Sequence, residues 1–341
     1  MNIILLKILD SITKIIFFIV LILSHSNLFS DGPYTIDTMT EQDGLRNGPD
    51  YSEALLYYSL DAPSPLPVVV LIPGFTNSIS AIQDWGPFLA SYGYATFLVN
   101  VNSFFEPPFS RAEALLDGIV TIKVENERLG SPLFGGLNVE NFTVGGYSMG
   151  GGGAQIAAQQ DSSIKAVIAL ASWLDNPSIT VNNNTSILFI SGENDNIAPN
   201  NYHTDLFYDY TPEDTDKLLY EIAGGFHSIV TSPSNDEEMG LKTLFWIEKY
   251  ILNDFSNCDS LITQPATASK FLTNLDCSVD TIGDITQDGI TNILDLVLLI
   301  SWIINGINPS ELEMEVANIM NDSNLDIFDI ILLTEVISSN L

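Results

Sequence analysis

A serine set between glycines, Gly146-Tyr147-Ser148-Met149-Gly150, is the residue of this chain best suited to act as a nucleophile. The preceding Phe142-Thr143-Val144-Gly145 reads as a buried strand, and the following Gly151-Gly152-Gly153-Ala154 as the start of a helix. A strand turning that sharply into a helix leaves no room for Cβ atoms at 146 and 150. The turn lifts Ser148 Oγ out of the sheet and aims the Met149 amide at a developing oxyanion. The chemistry is then attack on a carbonyl through a covalent acyl intermediate.

A hydroxyl nucleophile needs a base, and beyond the first 30 residues the histidines are His203 and His227. His227, in Gly224-Gly225-Phe226-His227-Ser228, follows the strand-like run 218–222 and is the expected base. His203, in the polar helical stretch Tyr202-His203-Thr204-Asp205, is expected to be an ordinary surface residue. The base must be oriented by a carboxylate that follows a strand between serine and histidine in chain order. Asp195 fits, directly after the run 186–191; Asp175, after the preceding strand, is the fallback, with a turn or helix cap as its structural alternative. Glu193 lies too near the strand end. A second oxyanion donor belongs on the loop after an early strand, here Pro73-Gly74-Phe75-Thr76 after Val68-Val69-Val70-Leu71-Ile72, which gives the Phe75 amide.

The elements that must position these groups are legible as an alternation. Short β-rich apolar runs at 68–72, 96–101, 142–145, 166–171, 186–191 and 218–222 are separated by helical stretches such as 110–128 and 240–253. That pattern predicts an α/β class with a mainly parallel sheet flanked by helices. A chain of 341 residues exceeds what one core usually organises, so a large domain with a small appendage is expected.

After Cys277 the character changes to apolar segments punctuated by Asp and Asn, and we place a domain boundary near Thr281. The run Asp284, Thr286, Asp288, Ile290, Asn292, Asp295 sets oxygen donors at alternating positions, with Ile290 contributing its carbonyl and Gly289 at the turn. This is the logic of a calcium-binding loop closed by a carboxylate; the alternative is a solvated Asp-rich turn. The pattern recurs 34 residues later as Asn318, Asp322, Asn324, Asp326 and Asp329, with Met320 and Ser323 as poorer members. That second copy either binds calcium or is a packed, degenerate repeat. Each copy leads into an apolar helix-like run.

The charge balance narrows the partners. Forty-three acidic against 11 basic residues give a net charge of −32, which repels phosphate backbones and anionic lipid surfaces, so nucleic acid is not an expected partner. Residues 1–30 place Lys7 and Lys14 before the apolar run 15–23 and small residues at Ser24 and Ser26, the three-part pattern of a secretory signal. The run is shorter than the ~20 residues that span a bilayer, so no membrane span is expected once it is removed. In an oxidising compartment the cysteine pair, Cys258 and Cys277, is expected to be a disulfide worth roughly 3 kcal/mol, with two independent thiols as the alternative.

The stretches Ile72-Pro-Gly-Phe-Thr76, Trp85-Gly-Pro-Phe-Leu-Ala90, Gly146 to Gly153, Glu193 to Pro199 and Gly224 to Ser228 resemble, in order, those of bacterial cutinases and poly(ethylene terephthalate) hydrolases. The resemblance covers roughly residues 45–278 and implies an α/β-hydrolase fold over 31–278. It further implies a triad of Ser148, Asp195 and His227, oxyanion amides from Phe75 and Met149, no catalytic cofactor, and a Cys258–Cys277 bridge. Phe75, Tyr147, Trp173 and Ile197 would touch substrate. By physics alone Trp173 is a core or rim aromatic and Ile197 plain packing. Phe75 stands where tyrosine is common, Tyr147 where histidine or tryptophan is, and Gly192 and Ile229 where one subset has a second disulfide. The segment 281–341 resembles dockerin modules, which implies a small all-α calcium-binding unit and a cohesin-like or cell-surface docking partner.

Together these readings predict a secreted serine carboxylic ester hydrolase that cleaves polyesters. A short-chain esterase or lipase, and a non-catalytic docked binding protein, are the competing expectations.

Overall fold

The computed structural model describes residues 32–339 apart from 183, 278–282, 287–289, 308, 310, 321 and 323. The leader 1–30, the boundary near Thr281, and Asp288 lie outside the described residues.

Among the described residues nine strands form one sheet: β1 Ile36–Met39, β2 Glu53–Ser59, β3 Leu66–Ile72, β4 Ala95–Asn100, β5 Leu137–Tyr147, β6 Ile164–Leu170, β7 Ser186–Gly192, β8 Lys217–Ile222 and β9 Ala268–Thr273. Their spatial order is β1-β2-β4-β3-β5-β6-β7-β8-β9. The six from β4 to β8 run parallel, while β1 and β2 at one edge and β9 at the other are antiparallel. Strands such as Leu66–Ile72 are buried along their whole length, as a sheet covered on both faces requires.

The covering helices are α1 Trp85–Ser91, α2 Pro108–Glu127, α3 Met149–Ala158, α4 Thr204–Tyr210, α5 Glu237–Ile247 and α6 Cys258–Ile262. Side-chain alternation splits the sheet's apolar residues between two cores. Val68, Val70 and Ile72 join Ala112, Leu115, Ile119 and Ala157 on one face. Val69 and Leu71 join Trp85, Leu89, Leu244 and Trp246 on the other. This is the layout of an α/β-hydrolase. The expected helix over 240–253 is α5 followed by one wider π turn, Glu248–Leu252. Cys258 and Cys277 form a disulfide.

The remaining segment has helices α7 Ile293–Asn305, α8 Glu311–Ala317 and α9 Ile327–Ser339 around its own cluster of Ile285, Leu299, Trp302, Ala317 and Leu333. The two loops close identically. Asp295 accepts the amides of Thr286 (2.8 Å) and Asn292 (2.7 Å); Asp329 accepts those of Met320 (3.0 Å) and Asp326 (2.9 Å). Met320 therefore leaves the second turn's architecture intact, because the closing carboxylate uses its backbone N–H and not its side chain.

Candidate active site

Sheet register brings the loops together. Ile72 pairs with Gly146, Tyr147 with Leu170, Leu170 with Ile190, and Gly192 with Ile222. The chains leaving β3, β5, β6, β7 and β8 thus emerge side by side at the carboxyl ends of parallel strands, where open α/β sheets hold their ligands.

Ser148 forms the turn between β5 and α3 with φ 56° and ψ −120°, a strained backbone for a residue with a side chain. The surroundings enforce it. Ser148 N donates to Leu170 O at 2.8 Å, and its carbonyl accepts from Trp173 N (2.9 Å) and Gly152 N (3.2 Å). A Cβ at Gly146 would stand 2.4 Å from the Gly150 carbonyl carbon, and one at Gly150 2.4 Å from Ile72 O. Thr76 (φ 60°) and Ala171 (φ 44°), on the neighbouring loops, also have positive φ. Strain concentrated in adjoining loops is what a preorganised site looks like.

The loop after β3 passes directly against the serine: a Cβ at Gly74 would lie 2.8 Å from Ser148 Cβ. The amides of Thr76 and Asn77 are taken up by Phe104 O (2.9 Å) and Gly74 O (3.2 Å), whereas the Phe75 amide has no protein acceptor among the described residues. Met149 opens α3, so its amide has no intrahelical acceptor. Two N–H groups are thus available beside Ser148 for an oxyanion. Behind them lies Arg111, fully buried, whose guanidinium donates to the carbonyls of Pro73 (2.8 Å), Glu106 (3.2 Å) and Phe104 (3.3 Å). Burial pulls its pKa down to about 10. Nothing in the hydrophobic periodicity marked this arginine; only packing reveals it.

Asp195 Oδ2 lies 2.6 Å from His227 Nδ1. Its other oxygen accepts the amides of Ile197 (2.9 Å) and Ala198 (2.8 Å), which fixes the carboxylate plane. Glu193 stitches the two loops by accepting the Gly224 amide at 2.7 Å. The fallback carboxylate, Asp175, is exposed. With Nδ1 tied to a carboxylate, the imidazole presents Nε2 as the free base. The Tyr147 ring packs on His227, centroids 4.9 Å apart. Burial, with Asp195 adding, raises the Tyr147 phenol to about 12, so Tyr147 is a neutral wall.

His203 is not a surface residue: it is 8 % exposed, its ring 5.7 Å from Trp173 and 6.0 Å from Phe207. The sequence showed polar neighbours, but the short Thr204–Tyr210 helix turns this position inward. Burial holds its pKa below the ordinary imidazole value, opposed by Asp195. Trp173 is half-buried against it, and Ile197 is 61 % exposed on the opposite loop. Among the described residues no group of three or more His, Cys, Asp or Glu could hold a metal ion, and none forms a helix long and apolar enough to cross a membrane.

Fold and site together define an α/β-hydrolase with a serine elbow and a carboxylate-anchored histidine. The chain belongs to the PET hydrolase-like family, whose model matches residues 25–278. It is 30% identical over 226 residues to a bis(hydroxyethyl) terephthalate hydrolase of Streptomyces coelicolor, spanning 65% of this chain and 69% of the relative. It is 29% identical over 244 residues to cutinase est2 of Thermobifida alba, spanning 69% and 76%. It is 27% identical over 231 residues to lipase 1 of a Moraxella species, spanning 67% and 69%.

Proposed function

We propose that this chain is a secreted serine carboxylic ester hydrolase that cleaves polyesters through an acyl-enzyme. The observation that carries it is the Asp195–His227 contact of 2.6 Å, beside a strained serine turn with two available amides. Ser148 Oγ attacks the ester carbonyl while His227 Nε2 takes its proton; the tetrahedral oxyanion is held by Phe75 N and Met149 N. Collapse expels the alcohol, protonated by His227, and water repeats the sequence to release the acid. Asp195 holds the imidazole's tautomer and offsets its transient charge. Phe75, Tyr147, Trp173 and Ile197 give the acyl side an apolar bed, which suits an uncharged aromatic diester such as the bis(hydroxyethyl) terephthalate named for one relative.

Release of soluble acids from cutin, an aliphatic polyester or poly(ethylene terephthalate) film tests the substrate class. Cleavage of p-nitrophenyl butyrate with no release from any film would defeat it. Ser148→Ala should abolish turnover without unfolding the protein; unchanged hydrolysis would sink the mechanism.

The segment after Cys277 we read as a dockerin-like calcium module that tethers the enzyme to a cohesin-like or cell-surface partner. Residues 271–341 contain no Lys, Arg or His, yet Asp295 and Asp329 are buried. Buried carboxylates need a compensating charge, and the segment contains no cationic side chain to supply it. Asp284, Thr286, Asp288, Ile290, Asn292 and Asp295 would hold one calcium ion, an all-oxygen set suited to a hard cation. Asn318, Asp322, Asn324, Asp326 and Asp329 would hold a second. Calcium would supply folding energy there and take no part in catalysis. Calorimetry of the full chain should show calcium-binding heat with a gain in helical circular dichroism; the absence of both signals would refute the module.

A further inference from the structure

We propose that Phe104 and Phe105 form an aromatic lip that binds the extended, uncharged chain of the ester substrate beyond the scissile bond. This rests on the ester-hydrolase reading above. Phe104 is 48 % and Phe105 72 % exposed on the loop between β4 and α2, and Phe109 is 59 % exposed in the first turn of that helix. Phe105 meets Phe75 edge-on at 5.7 Å, and Phe75 belongs to the loop that lies against Ser148. The lip is therefore continuous with the catalytic cleft.

The exposure is held in place by the structure and does not come from a loose loop. Arg111 anchors the carbonyls of Phe104 and Glu106, and Phe104 O also accepts the Thr76 amide. Glu106 O and Pro73 O share the same guanidinium, so the lip and the oxyanion loop are tied to one buried group. Within the lip, Glu106 N donates to Ser103 O, and Ser103 N returns a bond to Glu106 Oε1 at 3.1 Å. Pro107 and Pro108 stiffen the chain where it enters α2.

Charge selects the occupant. On a chain of net charge −32, the run 102–110 contains one ionisable residue, Glu106, and its carboxylate is folded back into the loop with Oε2 buried. A charge-free aromatic patch beside a cleft disfavours charged partners and suits an apolar, neutral chain. A short acyl ester would not reach it, so the lip acts on chain length and leaves the chemistry unchanged.

The test is the double variant Phe104→Ala/Phe105→Ala, with Phe134→Ala as control. Phe134, with an exposure between those of Phe104 and Phe105, precedes β5, at the sheet end away from Ser148. kcat/KM for p-nitrophenyl acetate should stay within about twofold of wild type. The value for p-nitrophenyl dodecanoate should fall roughly tenfold, the scale of losing apolar contacts in a substrate site. Adsorption of the double variant to polyester film should weaken, in a Ser148→Ala background as well, while Phe134→Ala changes neither. An unchanged dodecanoate-to-acetate ratio, or equal loss of adsorption from Phe134→Ala, overturns the proposal. A shifted ratio in the double variant, beside a wild type that releases nothing from film, sinks the polyester reading and leaves the lip standing.

Discussion

Replacing Asp195 by asparagine isolates the histidine's tautomer from its packing, and the structure fixes which way the new amide must face. Asp195 Oδ1 accepts two backbone N–H groups, from Ile197 and Ala198, and Oδ2 faces His227 Nδ1. If the asparagine turned its NH2 toward those two amides, both donors would lose their acceptor, at about 1–3 kcal/mol for the buried Ala198 N–H and less for the part-buried Ile197 N–H. The oxygen therefore stays with the loop, and the NH2 points at Nδ1. Nδ1 must then accept, the ring proton moves to Nε2, and the atom that should take the Ser148 proton already carries one. The comparable change in other serine hydrolases lowers kcat about 10⁴-fold, or roughly 5 kcal/mol. The assay is kcat for p-nitrophenyl butyrate with thermal unfolding measured in parallel, because the substitution is nearly isosteric and should leave Tm within a few degrees. A loss of less than about tenfold in a folded protein would refute the reasoning, since it would mean that His227 does not depend on Asp195 for its proton.

His203 should make stability pH-dependent. Its folded pKa is depressed by burial, so the unfolded chain takes up this proton first; the contribution is complete above about pH 6.5 and is lost as pH falls toward the folded value. His203→Phe should flatten the slope of Tm against pH between about 7.5 and 5, and an unaltered slope would contradict the burial argument. Gly150→Ala should cost about 3 kcal/mol or more, because its Cβ would meet Ile72 O at 2.4 Å and Pro73 O at 2.7 Å, both backbone. A Tm equal to wild type would show that α3 can slide away from β3 without penalty.

Much of the candidate site's make-up was legible in the linear chain. A glycine-flanked serine after a β run is a local signal, because strand, turn and helix follow one another in sequence. The scarcity of histidine left His227 with one competitor, and strand order favoured Asp195 over Asp175. Helix ends were read less well. Helix α2 begins at Pro108, because proline is tolerated in a first turn, and the helix expected to end at Asn253 loosens at Glu248.

The sequence alone determined which residue types could do the chemistry and the order in which they occur, since the elbow, the acid-bearing loop and the histidine loop each have a local pattern. Tertiary structure decided which of them meet and which positions are enclosed. His203, polar by its neighbours, is buried against Trp173 because the fold turns it inward. Arg111 is buried under the loop that follows β3, and Phe105 stands exposed against Phe75. Burial and cross-loop contact depend on what the register of parallel strands brings alongside, and that information is not local to any run of residues.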